Sequence, residues 1–165
     1  MRDPEGFDTF YRATRQRLFD CLVALTGNHA EAQDVVHEAY TRAWQRWDRV
    51  GEYADPEAWV RTVARRVAVS RWRRGRAALT AYRRIGPARP VAGPDVESLT
   101  LLAALGKLPF KQREALVLYH LLELPVAQIA EETGVPEGTV KARLARGRRA
   151  LAALLDADLA EESHV

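Results

Sequence analysis

Two stretches of this 165-residue sequence carry many cations and no acidic residue. Residues 58–94 contain ten arginines, and residues 138–155 contain one lysine and four arginines. Guanidinium and ammonium groups bind phosphate oxygens, and an arginine can donate two hydrogen bonds to the edge of a guanine. The two separate blocks therefore predict two contact surfaces for a polyanion such as nucleic acid. A simpler interpretation, in which both blocks are solvated faces of surface helices, stays open at this point.

The first block places arginines beside an aromatic ring at helical spacing. Arg61, Arg65 and Trp72 would share one flank of a helix, because residues spaced in this way are neighbours on a helix surface. A nucleic-acid surface uses this combination, since cations bind phosphates and a flat ring stacks on a base. Trp72 could equally be a core residue at the end of the helix. Three further polar residues would lie beside this flank, Arg66, Ser70 and Arg73.

The rest of the sequence argues against catalysis and metal binding. Cys21 is the only cysteine, and it lies on an apolar stripe, where a small buried hydrophobe is expected. The four histidines have no metal-ligand spacing, and neither a Ser/His/Asp set nor a glycine-rich phosphate loop is present. We therefore expect no enzyme activity, no metal and no cofactor. No apolar run approaches the roughly 20 residues of a membrane-spanning helix, and the first residues, MRDPEGF, lack an apolar signal core, so a cytoplasmic location is expected.

Helical periodicity runs through the whole sequence and strand signals are almost absent, which predicts an all-α fold. A first helix is expected over residues 7–26, ending at Gly27, which can adopt the left-handed conformation. A second helix should start after Asn28, whose side chain can cap free amides, and a third at the Asp55-Pro56 pair. The polar face of the second helix carries Asp34, His37, Glu38, Thr41 and Gln45.

A break rich in proline and glycine divides the chain into two helical domains. The predicted boundaries are residues 5–75 for the first domain, 76–97 for a linker, 98–157 for the second domain and 158–165 for an acidic tail. The linker is expected to be flexible, because proline and glycine interrupt any helical period there. The second domain is expected to consist of four short helices.

The second domain ends in a helix-turn-helix pattern. A short periodic segment, PVAQIAEETG, closes at Gly134, and a cationic helix follows the turn GVPEG. The apolar positions of that helix fall on one side, at Val140, Leu144, Gly147 and Leu151. The other side carries Lys141, Arg143, Arg146 and Arg149. A cationic second helix after such a turn is the arrangement that enters the major groove of DNA in many regulators.

With these motifs in this order, the chain resembles the extracytoplasmic-function (ECF, group IV) sigma factors of bacterial RNA polymerase. AEAQDVVHEAYTRAWQRW is similar to the family's polymerase-binding helix, PEAWVRTVARRVAVSRWRR to its −10 promoter helix, and LPFKQREALVLYHLLELPVAQIAEETGVPEGTVKARLARGRRAL to its −35 reader. The short, arginine-rich form and the stretch MRDPEGFDTFYRATRQRLF look most like an actinobacterial, SigE-like subgroup. The resemblance implies a sigma region 2 bundle and a sigma region 4 helix-turn-helix, in a subunit that docks on core polymerase, recognises two promoter elements and helps to open the start site.

The resemblance also implies roles for individual residues. The implied partner is core RNA polymerase, through its clamp coiled coil and its flap, and the implied polymerase-binding residues are Asp34, His37 and Glu38. The −10 contacts with promoter DNA fall on Arg61, Arg65, Arg66, Ser70, Arg73 and Arg74, and residues 50–55 match the loop that receives an unstacked base. The −35 contacts fall on Thr139, Lys141, Ala142, Arg143, Ala145, Arg146 and Arg149. An anti-sigma factor is implied as a further partner, because family members are often held by one.

Five positions depart from the residues that are usual in the family. His37 stands where glutamine is usual, and Arg66 stands where asparagine is usual, so the base preference of the −10 helix is not carried over. Ala142 and Ala145 replace serine and a larger residue, which leaves two methyl groups on the reading face. Pro125 replaces a capping serine and is expected at the first position of its helix.

Two other functions stay open on the sequence alone. A helix-turn-helix transcriptional regulator that does not act as a polymerase subunit would have no reason to place a docking helix before the linker, and it would usually need a dimer interface. A protein-interaction module with basic surfaces would show no salt-dependent affinity for DNA. The helix that carries Asp34 and Glu38 favours the sigma-factor interpretation over the plain regulator.

Overall fold

The chain divides into two units, and both are helical. The units are Met1–Val91 and Ala92–Val165, and a computed structural model describes residues 3–79 and 96–163 of them. Those ranges contain eight α-helices and no strand, so the predicted all-α class is confirmed. Among these helices, none combines the length and the apolarity that crossing a bilayer requires. The same ranges contain no cluster of three or more His, Cys, Asp or Glu side chains that could hold a metal ion.

The first unit contains α1 (Pro4–Thr26), α2 (His29–Gln45), α3 (Trp47–Val50) and α4 (Pro56–Leu79). The predicted caps form: the Glu31 amide donates to Asn28 Oδ1 at 3.0 Å, and the Ala58 amide donates to Asp55 Oδ1 at 2.9 Å. Gly27 ends α1 with φ of 69°, a conformation that glycine adopts without strain. These stops allow α1 and α4 both to pack against α2.

Apolar stripes from α1, α2 and α4 form the interior of the first unit. Burial of such side chains is the dominant favourable term in folding. Cys21 belongs to this interior, with 2% of its surface exposed, which confirms its interpretation as a buried hydrophobe. The buried positions recur at helical spacing and include Leu18, Leu22, Leu25, Ala32, Val35, Ala39, Val60, Ala64 and Val67.

Aromatic rings join α1 to α2 and α3. The ring centroid of Phe7 lies 5.1 Å from that of Trp44 and 5.2 Å from that of Trp47. The hydroxyl of Tyr40 lies 2.6 Å from Thr14 Oγ1, within the same interior. Burial raises the pKa of Tyr40 to about 12, so this hydroxyl stays neutral at physiological pH. The rings therefore hold α3 in place beside the start of α1.

The second unit contains α5 (Val96–Lys107), α6 (Phe110–His120), α7 (Val126–Thr133) and α8 (Glu137–Glu162). α8 contacts the other three helices. Buried Arg113 supports the connection between α5 and α6, because its Nη2 donates to the carbonyls of Gly106 at 3.2 Å and Leu108 at 3.0 Å. The interior is formed by Ala104, Leu105, Leu108, Ala115, Leu116, Val117, Leu118, Ile129, Val140 and Leu144.

Several helix boundaries differ from those expected from the sequence. The segment after Trp47 does not break the helical pattern at once but forms the short helix α3. α4 includes residues 76–79 and α5 starts at Val96, so both ends of the predicted linker are helical. The rest of that predicted linker, residues 80–95, lies outside the described residues.

The last helix is longer than the short helix that the sequence suggested. α8 has 26 residues and continues through residues 158–162 of the predicted acidic tail. Alanine, leucine and glutamate, which are strong helix formers, dominate this end of the sequence. Asp158 Oδ1 also lies 3.9 Å from Lys107 Nζ, which connects the final turns to α5.

Gly147 lets α8 approach α6 closely. A Cβ atom at this buried glycine would lie 3.0 Å from Leu116 Cδ1 and 3.4 Å from the carbonyl oxygen of Gln112. A valine would add two further carbons at the same place, so α6 and α8 would have to separate or the leucine would have to move. This close approach sets how α8 is seated in the unit.

We expect Gly147→Val to lower the free energy of unfolding by about 1–3 kcal/mol, because it overpacks the contact between α6 and α8. The matched control is Gly106→Val, also at a helical glycine, where a Cβ atom would meet nothing within 4 Å. Denaturant unfolding followed by circular dichroism measures both variants. Equal losses in the two variants would contradict the importance of the close approach at Gly147.

Candidate nucleic-acid interfaces

α4 presents four polar residues on one exposed face. Arg66, Ser70, Arg73 and Arg74 are all exposed, and their spacing places them on the same side of the helix. The opposite side carries buried Ala64 and contacts α2. The exposed face is therefore a strip of three guanidinium groups around one hydroxyl, which are donors suited to phosphate oxygens and base edges.

Three members of the predicted flank are less accessible. Arg61 is only 4% exposed, which corrects the expectation that its side chain is accessible on this flank. Its position explains the burial, because Ala64 and Ala68 follow it at helical spacing and both face the interior. Arg65 and Trp72 are half-buried, between the interior and the exposed strip. The accessible cations of α4 are consequently those nearer its C-terminal end.

A small cavity lies where α3, the turn after it and α4 meet. It has a volume of about 180 Å³ and is lined by Arg46, Arg49, Val50, Tyr53 and Trp59. Aromatic and aliphatic walls beside two guanidinium groups can hold a flat ring that carries hydrogen-bond acceptors. Sequence reasoning pointed to residues 50–55 and missed Arg46, Arg49 and Trp59, because the packing of their helices brings them to the loop.

The polar face of α2 carries the residues predicted to bind a partner. Asp34 and His37 are exposed and Glu38 is half-buried. The two carboxylates are shared with α4, since Arg71 Nη2 lies 3.1 Å from Glu38 Oε2 and Arg71 Nη1 lies 3.7 Å from Asp34 Oδ2. Arg42, one turn after Glu38, pairs with the other oxygen of that carboxylate. Sequence reasoning missed Arg71 as a partner, because an ion pair between helices depends on how the helices pack.

The connection between α7 and α8 has the geometry of a helix-turn-helix. Gly134 ends α7 with φ of 69°, and the Val135 amide donates to the Ala130 carbonyl at 3.1 Å, so the chain turns sharply. Pro136 is the N-cap residue of α8. At the other end of α7, Pro125 is also the N-cap residue and not the first helical residue that was expected.

The outward face of α8 carries cations, with small alanine side chains between them. Val140 and Leu144 are buried, which turns Lys141 and Arg146 to the surface. Small side chains separate these cations, so the helix can approach a groove floor closely without a bulky group between them. The exposed predicted residues are Lys141, Ala145, Arg146 and Arg149, and the half-buried ones are Thr139, Ala142 and Arg143.

Arg148 differs from the other cations of α8 because α6 engages its side chain. Its guanidinium carbon lies 5.2 Å from the ring centroid of Tyr119, a distance at which a cation and an aromatic ring attract each other. Its Nε also donates to His120 Nε2 at 3.4 Å. Arg148 therefore offers an internal comparison for Lys141 and Arg146, whose side chains point away from the rest of the unit.

Comparison with known protein families and curated proteins gives consistent matches. Residues 10–78 match the family model for sigma-70 region 2, and residues 98–151 match the model for sigma-70 region 4. The ECF RNA polymerase sigma factor SigL of Mycobacterium tuberculosis is 34% identical over 146 residues, which cover 81% of this chain and 80% of that protein. The ECF RNA polymerase sigma factor SigW of Bacillus subtilis is 28% identical over 165 residues, which cover 90% of this chain and 88% of that protein. The narrower SigE-like subgroup stays a prediction.

A solved structure supports the same fold. The sigma factor RpoE of Bartonella quintana, crystallised in complex with the anti-sigma factor NepR, matches with a TM-score of 0.77. The match covers 92% of this chain and 98% of that chain, at 24% sequence identity. The likeness extends over both helical units, each of which carries one of the basic surfaces.

Proposed function

Because this chain belongs to the extracytoplasmic-function sigma factors of bacterial RNA polymerase, we propose that its two basic surfaces are its two promoter contacts. It is an alternative sigma factor, which binds core RNA polymerase, recognises −10 and −35 promoter elements and promotes initiation at a restricted set of genes. One observation carries the proposal: the outward cationic faces of α4 and α8 fall within the residues that match sigma regions 2 and 4. A regulator that acts without polymerase is not favoured, because sigma region 2 occupies residues 10–78.

We assign −35 recognition to the outward face of α8. Lys141 and Arg146 are donors only, so they suit the O6 and N7 acceptors of guanine in the major groove. Ala142 and Ala145 offer methyl groups that can contact thymine methyls. Thr139, in the first turn of the helix, suits a phosphate near the free amides of the N-terminus. Arg143 and Arg149, two further cations of α8, suit backbone phosphates.

We assign −10 binding to the exposed strip of α4 together with the cavity beside it. Arg66, Ser70, Arg73 and Arg74 provide donors for the backbone and base edges of DNA. The cavity lined by Trp59 and Tyr53 is suited to an extruded base, which costs a few kcal/mol to unstack. Half-buried Arg65 borders the strip, and Arg61 is left out of the assignment because of its burial.

We assign polymerase docking to the polar face of α2. Asp34 is 70% exposed, so its carboxylate is accessible to a cation on the polymerase clamp coiled coil. Glu38 lies one turn further along the same face, and exposed His37 lies between them. An anti-sigma factor that covers the same surfaces is a further partner that family membership suggests for this chain.

We expect Lys141→Ala and Arg146→Ala each to weaken binding at the −35 element by about 1–3 kcal/mol and to relax its sequence preference, because each change removes a base contact. Affinities of the reconstituted holoenzyme for promoter variants that differ at single −35 positions measure this effect. The matched control is Arg148→Ala, which removes a cation from the same helix that α6 already engages. Equal weakening on every −35 sequence would instead make Lys141 and Arg146 phosphate contacts.

We expect Asp34→Arg to weaken binding to core polymerase at least tenfold while the helical content stays unchanged, because the charge reversal repels a cationic partner surface. Binding to labelled core enzyme and circular dichroism measure the two effects. The matched control is Asp20→Arg, which reverses an exposed carboxylate on α1. Normal binding by the Asp34 variant would show that this face of α2 is only solvated.

We expect Arg49→Ala to reduce capture of an unstacked base, because one of the two cavity guanidinium groups is lost. Fluorescence of 2-aminopurine placed at successive −10 positions of a promoter, measured with holoenzyme, reports the unstacking. The matched control is Arg12→Ala on α1, an exposed arginine that pairs with Asp8. Unchanged fluorescence at every position in the Arg49 variant would exclude the cavity as the receiving site.

A further inference from the structure

One arginine of α4 faces the polymerase-docking helix and not the exposed strip. Arg71 follows Val60, Ala64 and Val67 at helical spacing, and these three residues are buried. Its side chain accordingly points along the seam between α4 and α2. It ends between the two carboxylates of α2, 3.1 Å from Glu38 and 3.7 Å from Asp34.

The ion pairs that Arg71 makes are partly exposed and therefore replaceable. Its side chain is 31% exposed, and the side chains of Glu38 and Asp34 are 33% and 70% exposed. Water screens such pairs, so each is worth only a small free energy, and another cation can compete for the carboxylates. Arg71 also lies three residues before exposed Arg74, which makes the two residues neighbours on the helix surface.

We propose that docking on core polymerase releases Arg71 from Asp34 and Glu38, so that its guanidinium becomes an additional phosphate contact beside Arg74. In the free chain the two carboxylates hold Arg71 in the seam, and Glu38 is shared between Arg71 and Arg42. A cation of the polymerase that pairs with the same carboxylates displaces it. The inference rests on the proposed docking role of α2, and it makes docking and DNA binding thermodynamically linked, so that each strengthens the other.

The first test uses the free chain without polymerase, with an oligothymidylate as the DNA probe and fluorescence anisotropy measured over a range of salt concentrations. Glu38→Gln imitates the loss of one carboxylate to a partner. We expect it to raise affinity and to steepen the dependence of log affinity on log salt by roughly 0.7, the value for one added phosphate contact on a single strand. The matched control, Asp20→Asn, changes the net charge equally on α1 and should leave the slope as in the unaltered chain.

The proposal requires that the effect of Glu38→Gln on the salt slope depends on the presence of Arg71. In an Arg71→Ala background, Glu38→Gln should no longer steepen the slope, because the guanidinium that it would release is absent. If Glu38→Gln steepens the slope equally with and without Arg71, the effect comes from the general change of charge or from Arg42, which also pairs with Glu38, and the proposal is overturned. If Glu38→Gln has no effect in the unaltered background, release of Arg71 is likewise excluded.

The second test separates a releasable contact from a structural brace. Release predicts that Arg71→Ala binds core polymerase as well as the unaltered chain or better, because the carboxylates are freed, while its holoenzyme shows a shallower salt dependence on promoter DNA. A brace predicts weaker core binding together with a lower free energy of unfolding, and that result would overturn the proposal. Arg71→Gln, which keeps the polar stem, replaces the alanine variant if the latter does not fold.

The two proposals fail in different ways. If the docking proposal is wrong, Asp34→Arg will bind core polymerase normally. If the release of Arg71 is wrong, Glu38→Gln will not steepen the salt slope in an Arg71-dependent way on oligothymidylate, in an assay that contains no polymerase. If Asp34→Arg weakens core binding as expected but Glu38→Gln leaves the salt slope on oligothymidylate unchanged, the release of Arg71 is overturned and the sigma-factor function stays intact.

Discussion

The buried seam of each functional helix is the constraint on which both basic surfaces depend. Once the apolar stripe of a helix is packed, rotation about its axis is no longer free, and the directions of all other side chains follow. In α8, burial of Val140 and Leu144 and the close approach at Gly147 set this rotation. Lys141 and Arg146 point outward as a consequence, so the same packing that stabilises the second unit also orients its cations.

The seam of α4 differs because it includes charged residues. Arg61 is buried within it, and Arg71 ends it with ion pairs to two carboxylates of α2. A buried apolar contact is not replaced by a solute, whereas a partly exposed carboxylate can exchange one cation for another. In the first unit, the polar face of α2 is therefore joined to α4 through charged groups that are partly exposed to solvent. The second unit, as far as it is described, presents a cationic face on an apolar support.

Local features of the sequence predicted the helices well. Asn28, Asp55, Gly27 and Gly134 mark helix ends through their own side-chain or backbone chemistry, and each acts at its predicted boundary. The extent of the last helix was underestimated, because the acidic composition of residues 158–165 suggested a tail although its alanine, leucine and glutamate residues favour a helix. Lys141, Arg146 and Arg149 of α8 are exposed as predicted, since the apolar residues of this helix repeat at regular helical spacing, whereas Arg143 is half-buried.

By itself, the sequence determined the all-α class, the helix-turn-helix, the outward cationic face of α8 and the family resemblance, because these depend on periodicity and on residues close together in the chain. Only the tertiary structure decided that Arg61 is buried, that Arg46, Arg49 and Trp59 line one cavity, and that Arg71 lies between Asp34 and Glu38. The physical reason is that helical periodicity gives the direction of a side chain relative to its own helix. Which residues that side chain contacts depends on how a second helix packs against it, and the periodicity of one helix carries no information about that packing.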